Sequence, residues 1–179
     1  MKSHPVCRLC GIACSVFLVA VAVGQIKTTS SDPTIAPAGQ TALLELQGKG
    51  EQIYVCKLTG EVPAWTFVKP EAKLFDSSGA GVGTHGAGPA WSLRDGSSIR
   101  GTMIAQKPAA ESDALPWLLL AAHDPKGTGA LAAVTYIRRS DTQGGKALPT
   151  GCDALHLGAE SRVPYTATYT FYIASGQTK

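Results

Sequence analysis

The sequence predicts an all-β fold: a single-domain antiparallel β-sandwich or barrel of about eight strands with long glycine-rich loops. Three observations carry that expectation. Apolar residues recur with period two along most of the chain and nowhere sustain the 3.6-residue period of an amphipathic helix. The chain's 20 glycines and 11 prolines interrupt the alternating segments at short intervals. Hydrophobic residues make up 44% and charged residues 16%, which suits a packed core and argues against disorder throughout.

The amino terminus sets the compartment. Lys2 and Arg8 precede a nearly unbroken apolar run over residues 11–23, with small residues at Ala20, Ala22 and Gly24. That run matches a signal-peptide core and falls short of the roughly 20 residues of a membrane span. Residues 1–24 are therefore expected to be a signal peptide, with no stable membrane span after its cleavage and a secreted or periplasmic product. Cys7, Cys10 and Cys14 lie before or inside the run, whereas a lipid-bearing cysteine would follow it. Loss of Lys2 and Arg8 takes two charges from the formal +3 and leaves +1. A nearly neutral domain lacks the electrostatic footprint of a nucleic-acid binder, and the pair Arg138-Arg139 is too small to supply one. Cys56 and Cys152 remain after cleavage. In an oxidising compartment they are expected to form a disulfide, whose long loop would contribute about 4–5 kcal/mol on the chain-entropy model. Neither has a second cysteine or histidine at metal-ligand spacing.

The elements follow in order. Residues 25–40, polar and carrying Pro33 and Pro37, read as an extended linker. The β-rich domain occupies residues 41–174, and residues 175–179 form a tail. Residues 41–57 read as a hairpin, because Leu44 and Leu46 alternate with Glu45, Gly48-Lys49-Gly50 offers a turn, and alternation resumes at Ile53. Trp65 and Phe67 flank Thr66 in a third strand, and residues 72–75 form a fourth that stops at Asp76-Ser77-Ser78-Gly79. Residues 98–105 make another strand. Residues 106–114 are a polar connection with room for one helical turn. The continuous apolar run 115–122 suits a strand buried on both faces, with Pro116 at its start. Asp124-Pro125-Lys126-Gly127 is a turn, residues 131–139 a strand, and residues 140–152 a polar loop. In residues 165–174, Thr166, Thr168 and Thr170 share one face while Ala167, Tyr169, Phe171 and Ile173 share the other, as in a half-buried edge or meander strand. A short echo links Pro70…Leu74-x-Asp76 with Pro89…Leu93-x-Asp95 and predicts two successive hairpins of similar shape.

Candidate chemistry concentrates in residues 79–101, which hold seven glycines with His85, Trp91 and Asp95. Gly81, Gly83 and Gly86 spell G-x-G-x-x-G, but no apolar strand leads into them and Ala87-Gly88-Pro89 stands where a helix should open. No nicotinamide binding is predicted from them, and no other cofactor. His85, His123 and His156 show no short ligand spacing, so no metal site is predicted. His85 stands among glycines, which is expected to leave its ring accessible. There is no G-x-S-x-G elbow. Ser97 or Ser98 with His85 and Asp95 has the composition of a catalytic triad, while Asp95-Gly96-Ser97 reads equally as a turn. Trp65 and Trp117 are expected in the core. Trp91 reads either as the wall of a groove or as a plug for its loop.

Several of these stretches together resemble a known family. They are Q-I-Y-V-C at 52–56, K-P-E-A-K-L at 69–74, G-T-H-G-A-G-P-A-W at 83–91 with D-G-S at 95–97, P-W-L-L-L at 116–120, T-Q-G-G at 142–145, Cys152, and Y-x-A-x-Y-x-F-Y at 165–172. In this order, over residues 41–173, they are similar to the domain of unknown function 3455 family of secreted bacterial and fungal proteins. The resemblance implies export, one β-rich domain and pairing of Cys56 with Cys152. It implies no activity, so it transfers no catalytic residue, and the dehydrogenase labels of some relatives find no support in the glycine pattern. Where the resemblance leads one to expect His-Tyr-Ala-Gly-Pro-Thr-Trp, this chain has His85-Gly86-Ala87-Gly88-Pro89-Ala90-Trp91. Loss of that tyrosine is expected to loosen the segment and to weaken an aromatic cage.

The functional expectation is an exported, non-catalytic binding domain for a glycan or cell-envelope component. Its candidate residues are His85, Trp91 and Asp95, with Arg94 and Arg100 as donors at the rim. Two other classes stay open: a hydrolase or metal-dependent enzyme using His85, and an envelope structural protein. Residues 79–101 are thus either a site or a corner of the fold.

Overall fold

A computed structural model describes residues 32–177 of the chain. The expected signal peptide, residues 1–24, and residues 25–31 of the expected linker lie outside the described residues, as does the end of the tail. Eight strands follow one another: β1 (Gln40–Thr59), β2 (Val62–Phe75), β3 (Gly81–Gly86), β4 (Ala90–Leu93), β5 (Ser98–Lys107), β6 (Trp117–Lys126), β7 (Tyr136–Gly144) and β8 (Glu160–Ala174). Each pairs antiparallel with its neighbours in sequence, and β8 pairs back onto β1, so the sheet closes into a barrel. No helix occurs among the described residues. Of the two expected all-β architectures, the barrel is the one formed.

β1 is one strand of 20 residues where a hairpin was expected. Gly48 and Gly50 mark close approach, not a turn. A Cβ on Gly48 would stand 2.6 Å from the Tyr169 ring, and one on Gly50 would stand 2.1 Å from the Glu71 carbonyl oxygen. β2 is likewise continuous through the two strands expected at Trp65–Phe67 and at 72–75. Of its two prolines Pro63 stands at its start, and Pro70 is tolerated because the β1–β2 register shifts beside it and because β3 pairs with β2 only from Ala72 onward. β3 and β4, of six and four residues, therefore leave the wall low beside the first half of β2.

The expected strand at 131–139 begins only at Tyr136. Leu131 and Val134 instead turn inward at 0% and 6% exposure, and the Leu131 amide donates to Ser97 Oγ at 3.2 Å. β7 and β8 both run further than the pattern indicated, taking residues from the expected 140–152 loop and from the segment before Tyr165. β8 is a meander strand paired with β1 along its length and with β7 from Tyr165, and its threonine face is covered: Thr168 and Thr170 are buried, with Gln47 Nε2 donating to Thr168 Oγ1 at 3.0 Å. On β6, Leu119 and Leu120 are buried on opposite faces, as expected of a continuous apolar run.

Residues 32–39 pack on the barrel, with Thr34 fully buried. Asp32 accepts from Lys107 Nζ at 2.5 Å and Arg138 Nη2 at 3.1 Å, and both cations lie over the Trp117 ring. Burial pushes the Asp32 carboxyl up, but the hydrogen bonds from Lys107 and Thr34 outweigh it and hold the group below the usual carboxylate range. Cys56 and Cys152, 96 residues apart, form the expected disulfide with their Cα atoms 5.3 Å apart. It ties β1 to the long loop before β8, which also clamps the Cys56 backbone through Ala159 and Gly158.

One half of the barrel is solid. Leu46, Leu74, Ile99, Ile137 and Phe171, each at 1% exposure or less, converge there with Leu131 from the inward turn. Each such side chain contributes about 1.5–3 kcal/mol by leaving water.

Candidate functional site

The other half is hollow. A cavity of about 520 Å³ opens inside the barrel at the end formed by the second half of β1, the first half of β2 and the start of β6. That volume lies in the range of small-molecule sites. His85, Trp91 and Tyr169 meet the solid half, Tyr54, Leu118 and Leu120 line its walls, and Phe67, Val68 and Met103 stand at its exposed rim. The rim lies where β3 and β4 leave the wall low.

The inner end is an aromatic stack set by strand register. His85 and Trp91 are direct partners across β3 and β4, so their side chains share the inward face. Their rings stack at 4.5 Å with planes 12° apart, and Tyr169 meets both, at 5.1 Å from His85 and 5.6 Å from Trp91. Such pairs contribute roughly 0.5–1.5 kcal/mol each beyond their burial. His85 Nδ1 lies 2.9 Å from the Ala90 carbonyl oxygen. A carbonyl only accepts, so Nδ1 carries the hydrogen and Nε2 holds a lone pair. Burial pushes the His85 pKa down to about 4; the Ala90 bond opposes this and the Arg139 charge adds to it. The ring is neutral near pH 7.

His85 is thus not the accessible ring expected from its glycine neighbours. It is 4% exposed, because alternation sends Thr84 and Gly86 to the outer face and His85 into the barrel. The same geometry explains the missing tyrosine at position 86. A Cβ there would meet nothing within 4 Å, on the face away from the cavity, so the aromatic end does not depend on it.

The other three candidates go elsewhere. Asp95 lies in the turn after β4 and accepts from the Ser97 amide at 2.9 Å, Ser97 Oγ at 2.6 Å and the Ala130 amide at 2.7 Å, which anchors the inward turn carrying Leu131. Arg94 borders a separate depression of about 300 Å³ with Lys73 and Ser92. Arg100 packs against Gly88, whose φ of +120° places its backbone under the guanidinium. The structure brings together His85 and Trp91 and leaves Asp95, Arg94 and Arg100 outside the cavity. The Ser97–His85–Asp95 grouping does not assemble either, since Ser97 and Asp95 bond to each other in a turn and His85 bonds to Ala90. Asp76 makes the same turn with Ser78, so the sequence echo is one turn chemistry used twice. His123 bonds Thr102 and Asp124, and His156 bonds Asp153, both in exposed positions apart from His85.

Gly81, Gly83 and Gly86 all lie on β3, and a Cβ at Gly83 would stand 2.3 Å from the Ser92 carbonyl oxygen. The glycine pattern serves strand packing at that position, with no helix following it.

Sequence reasoning missed the polar wall of the cavity. Gln52 is 2% exposed, and its Nε2 has no hydrogen-bond partner. Tyr54 Oη donates to the Gly145 carbonyl oxygen at 2.7 Å. Arg139 Nε and Nη2 donate to the Pro116 carbonyl oxygen at 3.2 and 2.9 Å. Burial raises the pKa of the Tyr54, Tyr165 and Tyr169 phenols, so all three are neutral near pH 7. The signal was present: Gln52 and Tyr54 continue the phase of Leu46 through Gly48 and Gly50, and Arg139 keeps the phase of Ile137. The turn read at Gly48-Lys49-Gly50 broke that phase.

Among known proteins, a family model described as a protein of unknown function (DUF3455) matches residues 37–173. No curated protein and no solved structure matches the chain.

Proposed function

The chain belongs to the DUF3455 family of proteins of unknown function, and on that premise we propose that it is a non-catalytic binding protein holding a small, largely apolar molecule inside its barrel. The observation that carries this reading is the cavity of about 520 Å³. An eight-stranded barrel is just wide enough for side chains to fill it or for one small ligand. Here half is filled and half is hollow, with aromatic and aliphatic walls and a few polar groups. These walls suit an apolar body better than the expected glycan, whose hydroxyls would each need a partner.

Export belongs to the same proposal, supported by the Cys56–Cys152 disulfide, which persists in oxidising compartments. An aqueous exterior is supported by the ions on the barrel's outer face, where Arg162 pairs with Glu51, Glu71 and Glu160.

Titration with the neutral fluorophore N-phenyl-1-naphthylamine tests the reading. The protein is expected to bind one equivalent with enhanced, blue-shifted emission, and Leu118→Trp, which fills the cavity, is expected to weaken binding about tenfold or more. No enhancement with the wild type, or equal binding by Leu118→Trp, would sink it.

A further inference from the structure

We propose that the molecule bound in the barrel is an organic anion, a monocarboxylate with an apolar body, and that Arg139 receives its carboxylate. The inference rests on the cavity-binding reading and names the ligand class for that site.

Arg139 is the charged residue lining the cavity, and no aspartate or glutamate lines it. The ion pairs of the neighbouring strands use Arg138 and Arg162 and leave Arg139 without a carboxylate among the described residues. Its protein acceptors are the Pro116 carbonyl oxygen, which takes Nε–H and one Nη2–H, and the Tyr169 hydroxyl, which stands close enough to take another. A guanidinium carries five N–H donors in a planar fork, so two remain to be met. Around it stand Tyr54, His85, Tyr165 and Tyr169, each of which feels its positive charge. All four are neutral near pH 7, so none supplies a counterion.

A cation beside apolar walls is costly unless an anion and hydrogen bonds compensate it. The guanidinium fork fits the two oxygens of a carboxylate, and such charge-assisted pairs are stronger than neutral ones. A second observation points the same way. The Gln52 amide Nε2 on the same cavity wall is buried with no hydrogen-bond partner. It stands close enough to the Tyr165 hydroxyl to favour that group's ionised form, yet outside hydrogen-bond geometry. The wall thus carries a surplus of donors. A ligand that brings only acceptors to this end, and an apolar body toward Leu118, Leu120 and the rim at Phe67 and Met103, matches both halves of that lining. An amine would place a second cation beside Arg139, and an alcohol would leave the charge unpaired.

Competition against bound N-phenyl-1-naphthylamine near pH 7 decides the question, with decanoate, decanol and decylamine as chain-matched competitors. Decanoate is expected to displace the probe at concentrations about tenfold to a hundredfold below decanol, with decylamine weakest. Arg139→Gln is expected to bring decanoate and decanol to within about threefold of each other, each displacement being corrected for that variant's own probe affinity. Equal displacement by decanoate and decanol in the wild type would overturn the anion assignment and leave cavity binding intact. So would an undiminished decanoate preference in a folded Arg139→Gln protein. Absence of probe binding together with no decanoate binding by calorimetry would overturn both readings. If Arg139→Gln fails to fold, the wild-type comparison still decides.

Discussion

The two halves of the barrel use the same eight strands and the same inward alternation, yet one is solid and the other hollow. In the solid half the inward positions carry Leu46, Leu74, Ile99, Ile137 and Phe171, and the inward turn adds Leu131. In the hollow half the corresponding positions of β1 and β7 carry Gln52, Tyr54 and Arg139, the wall is low beside β3 and β4, and the cavity stays open. A strand pattern closes a barrel; what fills it is decided separately, position by position. An interior left unfilled forgoes dispersion contacts on every wall, so the hollow half lowers stability relative to a packed one. The half that departs from good packing is the half where function is to be sought.

The largest expected effect sets the halves against each other directly. Phe171→Ala, in the solid half, is expected to lower unfolding stability by about 3–5 kcal/mol, because packed neighbours cannot collapse into the space left. Leu118→Ala, on the cavity wall, only enlarges an existing space and is expected to cost about 1 kcal/mol while altering affinity for N-phenyl-1-naphthylamine. Urea denaturation monitored by tryptophan fluorescence measures both. Equal losses would mean that the cavity wall is as tightly packed as the core, and the comparison would break.

A somewhat smaller effect concerns how the hollow half is held. The Cys56–Cys152 bridge and the backbone clamp around Cys56 fasten the loop before β8 to β1 beside Tyr54. The double variant Cys56→Ala/Cys152→Ala is expected to lose about 2–4 kcal/mol. Amide hydrogen exchange should show that loss first in the second half of β1 and the first half of β2, with Leu46 and Phe171 protected to higher denaturant. Uniform loss of protection would show the halves to be one cooperative unit.

How much of this was legible differs between the fold and the site. Period-two patterning and frequent turn residues were enough for an all-β domain, and the two cysteines outside the expected signal peptide were enough for the disulfide. Strand boundaries were misplaced where a local signal had a tertiary cause. Gly48 and Gly50 look like a turn, but they are glycine because the Tyr169 ring and the Glu71 carbonyl lie where side chains would be. The site was half legible. His85 and Trp91 stood out by residue type and do share the cavity, whereas Asp95 stood out equally and ties down a turn. Gln52 and Arg139 were in phase with core residues. In sequence they are silent, because an inward polar residue becomes informative only once its neighbours are known to leave it space.

His85 lies where the two halves meet, and its titration sharpens the boundary between them. Its neutral ring stacks on Trp91, Nδ1 donates to Ala90, and burial holds its pKa at about 4 against an ordinary value of 6.5. The unfolded chain therefore binds a proton at this residue at higher pH than the folded chain does. Stability from His85 is fully present above about pH 6.5, is lost as pH falls toward 4, and reaches its full loss of roughly 3 kcal/mol below that. The carboxylates whose folded pKa is lowered, Asp32 and Asp76 from 3.8 and Glu71 from 4.5, lose stability mainly below those values, so the His85 window stands apart from theirs above about pH 5. Denaturation midpoints measured from pH 7.5 to 5 should fall for the wild type. They should stay level over that range for His85→Asn, which keeps a donor near the Nδ1 position and has no proton to gain. If the wild-type slope persists in His85→Asn, the acid-sensitive group lies elsewhere and water reaches the His85 ring freely. The aromatic stack would then belong to the wet cavity, not to the dry core.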